Sequence, residues 1–86
     1  MIIAHGTVSR IRNATFKNGR VATFLEALIE HPDRAEIIEI LLSDDMNAET
    51  FQQGSRFELA ISYYAKGDRL YCSAARKQPD GYPRVT

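Results

Sequence analysis

With 86 residues, the chain holds material for one hydrophobic core, because compact domains run from about 50 to 200 residues. Apolar residues at 44% and charged residues at 26% lie near the averages for soluble globular domains, which excludes wholesale disorder and a fibrous repeat. The formal net charge is zero, so no overall basic excess advertises a nucleic-acid partner.

The charges are nonetheless segregated along the chain. Residues 1–25 carry Arg10, Arg12, Lys17 and Arg20 without an acid, residues 26–50 are dominated by acids, and residues 51–86 are basic again; the three stretches run +4, −7 and +3. If folding brings the two basic stretches together, one face becomes positive and the other negative; scattered, solvated charge is the alternative. No apolar run approaches the roughly 20 residues of a membrane-crossing helix. The first residues, Met1-Ile2-Ile3-Ala4-His5, lack the basic and apolar regions of a secretion signal. Cys72 is the only cysteine, which excludes an internal disulfide and a cysteine-based zinc site. Together these features predict a cytoplasmic protein without a membrane partner.

Strand signals dominate the chain. Residues 2–12 are rich in Ile, Val and Thr, and Gly6 within them predicts a bulge or tight bend. Asn18-Gly19 is a turn signal. Residues 20–30 follow, where Val21, Thr23, Leu25, Ala27 and Ile29 alternate with the opposite row that holds Phe24. His31-Pro32-Asp33 ends this second strand, since proline has no amide to donate. Residues 35–42 form a third strand, apolar on both faces. Residues 43–54 read as a short helix, with Asp44, Asp45 or Asn47 as cap and Gly54 just past its end. Residues 55–64 alternate Phe57, Leu59, Ile61 and Tyr63 with a second row that includes Tyr64. Lys66-Gly67-Asp68 turns the chain, and residues 69–76 alternate Leu70, Cys72 and Ala74 with Arg69 and Tyr71. Residues 1–76 thus form the domain and residues 77–86 a C-terminal tail.

The predicted fold is mainly β: a five-stranded OB-fold barrel with one short helix between strands 3 and 4. An SH3-like barrel is the nearest rival, but it places no helix there. Gly6-Thr7-Val8, Ala22-Thr23-Phe24-Leu25-Glu26-Ala27 and Phe51 through Gly54-Ser55-Arg56-Phe57-Glu58-Leu59 resemble the bacterial and phage single-stranded DNA-binding proteins. The chain departs from them in having no tryptophan, a short hairpin between strands 4 and 5 and no acidic tail. Its length is similar to compact phage, plasmid or primosomal variants. The resemblance implies a non-catalytic protein that binds single-stranded DNA in replication or recombination, with RNA as the alternative strand, and that needs no cofactor.

Binding single strands requires a cationic groove for phosphates and exposed rings on which bases stack. Arg10, Arg12, Phe16, Lys17 and Arg20 cluster around the first turn, with Phe24 just beyond it. Tyr64, Lys66, Arg69 and Tyr71 surround the last one. These ten residues are the candidate interface. Phe51, Phe57 and Tyr63 are assigned to the core. His5 and His31 lie on different segments, so neither a metal nor a proton relay is indicated. Asp44, Asp45 and Glu49 read as an acidic helix start, and Cys72 as a small buried hydrophobe. The opposing possibility is a protein-interaction module that docks a partner through the apolar third strand and the acidic middle of the chain. The same third strand predicts a homodimer or larger assembly.

Overall fold

In a computed structural model that describes residues 2–86, β1 (Ile2–Thr15), β2 (Val21–Glu30) and β3 (Ala35–Leu41) form an antiparallel meander. The strands β4 (Arg56–Lys66) and β5 (Arg69–Ala74) form a hairpin. β3 runs parallel to β5, with Ile40 opposite Cys72 and Leu41 opposite Ser73, and β1 runs antiparallel to β4. The circuit β1-β2-β3-β5-β4-β1 is closed. This is the mainly β, five-stranded OB-fold barrel that the order of elements predicts, and closure removes the sheet edges that a small open sheet would expose.

β1 serves both of its neighbours. Ile2–Thr7 pair with β4 and Thr7–Thr15 with β2, and the register with β2 shifts between Val8 and Arg10. The bulge therefore lies at Ser9 rather than at Gly6. Gly6 instead permits a close approach, since a Cβ there would sit 2.5 Å from the Leu28 carbonyl oxygen and 2.8 Å from Ile29 Cδ1. Where β1 changes partners its backbone comes too near β2 for any side chain.

The inward rows meet in one core of Val8, Leu25, Ala27, Ile40, Leu42, Phe51, Phe57, Leu59, Ile61 and Ala74. Phe51 and Phe57 pack edge to face, with ring centroids 6.4 Å apart, in keeping with their core assignment. Tyr63 departs from that assignment and is 58% exposed. The described pairs of β1 with β4 run from Ile2 opposite Ile61 to Thr7 opposite Arg56, and Tyr63 lies beyond them on the stretch of β4 that, among the described residues, pairs with β5.

The predicted helix of residues 43–54 shortens to one 3-10 turn, Ala48–Thr50, capped by Asn47, whose Oδ1 accepts the Glu49 amide at 2.9 Å. The polar residues before it bond locally instead, Ser43 Oγ donating to Asp45 Oδ1 at 2.7 Å. Met46 and Phe51 are drawn onto the core from either side, which leaves no length for a full helix.

Residues 77–86 return to the barrel. The Gln78 side chain accepts the Ala60 amide at 2.9 Å and donates to the Ala60 and Ala75 carbonyls at 2.9 and 2.8 Å. A two-residue strand, β6 (Arg84–Val85), pairs with Phe57 and Glu58 of β4. Among the described residues, no helix is long and apolar enough to cross a membrane.

Candidate nucleic-acid interface

Residues opposite each other in an antiparallel pair share a face, and so do residues two apart on one strand. On the outward face of the β4–β5 hairpin this puts Ser62 beside Ser73, Tyr64 beside Tyr71 and Lys66 beside Arg69. The two tyrosine rings are stacked, with centroids 5.2 Å apart and planes 18° from parallel. Tyr64 is 60% and Tyr71 38% exposed, so they form one two-ring platform rather than two separate ones. Lys66 and Arg69 follow at the tip and join no ion pair among the described residues.

A groove of about 690 Å³ opens at the other end of the same face, lined by Phe16, Arg20, Leu41, Ser62, Ser73 and Arg76, among others. Its position follows from the β1–β2 turn. The Phe16 amide donates to the Arg20 carbonyl at 2.8 Å, and Asn18 Oδ1 accepts the Arg20 amide at 2.9 Å. Gly19 supplies the positive φ of 84° that the turn requires. Phe16 and Lys17 are left exposed on this turn. Ser62 and Ser73 belong to both groove and hairpin, so one continuous path leads from Phe16 to the tip. At about 3.3 Å per residue, the step from Ser73 to Arg69 covers roughly 13 Å.

The segregation of charge along the sequence does not survive folding. Arg10 pairs with Glu26 across β1 and β2, Arg12 reaches Glu39 on β3, and Arg20 Nη2 lies 3.7 Å from Asp44 Oδ2. Register is the cause, because the acidic middle of the chain supplies β2 and β3, and β2 is the direct neighbour of β1. The Arg10 hydrogen bond holds the Glu26 carboxyl below its ordinary value of 4.5. Arg12 also stacks over the Phe24 ring, 4.7 Å from its centroid. Arg10, Arg12 and Phe24 are therefore engaged with other protein groups, and Asp44 and Asp45 bring negative charge to the groove.

Among the ten candidates, Tyr64, Lys66, Arg69 and Tyr71 come together at the hairpin, and Phe16 and Arg20 line the groove, with Lys17 exposed on the turn beside Phe16. Folding adds Arg76, Ser62 and Ser73, which sequence reasoning missed. Alternation extends the fifth strand through Arg76, whereas that residue lies two positions beyond β5 and turns into the groove. The serines carry no signal beyond alternation with the apolar rows. Burial pushes the Cys72 thiol above its ordinary value, as befits a small packed side chain on the inward row.

No family model, no curated protein and no solved structure matches this chain. Its function therefore rests on the geometry of the site.

Proposed function

We propose that this protein binds single-stranded DNA without catalysis, along the outer face of its barrel from the Phe16 groove to the hairpin tip. The observation that carries the reading is the exposed Tyr64–Tyr71 stack with Lys66 and Arg69 at the next position of the same face. A base stacks on the open side of the ring pair, for about 1–3 kcal/mol. The two cations hold the flanking phosphates, and Lys17 and Arg76 extend that contact toward the groove. Asp44 and Asp45 repel phosphate there, so the strand is gripped at the hairpin and only guided at the groove. A protein that covers strands without cutting them acts where they are exposed, in replication or recombination.

The test is titration with homopolymeric deoxy- and ribonucleotide strands, followed by tyrosine fluorescence, which no tryptophan obscures. The expected result is quenching that weakens steeply between about 50 and 200 mM salt, as counterion release demands. Absence of binding at the lower salt overturns the proposal, and stronger binding of the ribonucleotide strands reassigns it to RNA. The protein-docking alternative draws on Ile37, 60% exposed on the outward face of β3, and calls for a partner contact that resists salt.

A further inference from the structure

The end of the barrel where β4 and β5 overhang carries a feature that strand binding leaves unused. The inward rows continue there past the core, so Ile2, Ile29, Ile38, Tyr63, Leu70 and Cys72 line an open mouth of about 350 Å³, with His5 and Glu36 also on its wall. Leu70 is 61%, Tyr63 58% and Ile2 47% exposed. A two-stranded hairpin is marginal in water without something against its apolar face. Among the described residues, the inner face of the overhang has the mouth beneath it.

The rim of the mouth is divided in charge. Because β3 and β5 run parallel, the β2–β3 turn and the β4–β5 turn lie at the same end of the barrel. The β2–β3 side carries Glu30, Asp33 and Glu36 against Arg34, and the hairpin tip carries Lys66 and Arg69 against Asp68. One side is net negative and the other net positive.

We infer that two copies of this chain associate mouth to mouth about a two-fold axis. The inner face of each β4–β5 overhang, Tyr63 and Leu70, covers the mouth of the other copy. A surface that is apolar at its centre and opposite in charge at its two rims is self-complementary, since a two-fold sets the basic tip of one copy over the acidic turn of the other. Tyr63, Leu70 and Ile2 alone leave on the order of 300 Å² uncovered, a fair share of the ~800 Å² that each partner gives to a standard interface, and the charged rims supply more. The Tyr64–Tyr71 rings stay free, while Lys66 and Arg69 at the tip of the same face are shared between this contact and the proposed strand contact. The third strand, apolar on both faces in the sequence, contributes Ile38 to this contact and leaves Ile37 outside it.

The experiment is sedimentation velocity of the full chain without nucleic acid over a range of micromolar concentrations, so its result is independent of strand binding. The expected mass is twice 9.7 kDa. Leu70→Asp should return the monomer with its circular dichroism unchanged, and Ile37→Asp should leave the dimer intact. The doubly reversed variant Lys66→Glu with Arg69→Glu alters only exposed residues and should weaken association by roughly tenfold or more. A parent that stays monomeric at the highest concentration overturns the inference. So does a dimer that survives Leu70→Asp and the charge reversal, or one lost only with Ile37→Asp.

Discussion

Replacing Gln78 with Met removes three hydrogen bonds while keeping the length and most of the volume of the side chain. The Ala60 amide is fully buried and loses the acceptor that Gln78 provides. The Ala60 carbonyl keeps a second partner, the Ala75 amide at 2.9 Å, so its loss is small. The Ala75 carbonyl, on a residue 8% exposed, loses the Gln78 donor. One orphaned amide and one orphaned carbonyl, at about 1–3 kcal/mol each with partial relief from entering water, give an expected destabilisation of about 2–4 kcal/mol. That is a large fraction of the roughly 5–15 kcal/mol typical of a domain, and lowers the thermal midpoint by about 10–20 °C. Urea denaturation followed by circular dichroism measures it, with the expected change in the midpoint at constant m-value. A loss below about 0.5 kcal/mol would mean that solvent satisfies both groups and that Gln78 does not fasten the end of the chain.

Gly6→Ala should destabilise by about 2 kcal/mol or more, since the new methyl meets the Leu28 backbone carbonyl as well as the Ile29 side chain, and the carbonyl cannot swing aside; a thermal melt within a few degrees of the parent would refute the close approach of β1 to β2. Tyr64→Leu or Tyr71→Leu should cost about 1–3 kcal/mol of single-strand affinity, and Lys66→Ala should reduce the salt slope by about 0.7; titrations that match the parent on both counts would remove the hairpin from the interface. Hydrogen bonds from Arg10 and His31 hold the Glu26 and Glu36 carboxyls below 4.5. Their contribution to stability is therefore complete above that value and is lost as pH falls through the lowered folded-state values. The double variant Glu26→Gln with Glu36→Gln should lose less of its thermal midpoint than the parent as pH falls below about 4.5, and equal losses would refute the pairing.

The features legible in the residues alone are local ones. Period-two alternation assigned the strands and the inward rows that hold Leu25, Leu59 and Ile61, and Asn18-Gly19 and Lys66-Gly67-Asp68 marked two of the turns. Both signals depend on neighbours only a few residues away, so they are readable without knowing which strands meet. The order of the strands then pointed to the barrel, because so small a sheet gains by closing its edges. Register and strand length settled the rest, and both exist only in the folded chain. Pairing matched Arg10 with Glu26 and Arg12 with Glu39, ion pairs that the order of charges along the chain does not announce. Tyr63, on the inward row, stays exposed where β4 pairs with β5 beyond the described β1–β4 pairs, and core packing pulled in Met46 and Phe51 so that a helix became a single turn. Each of these outcomes joins residues far apart in the chain through backbone pairing or core packing, and no local pattern encodes that partnership.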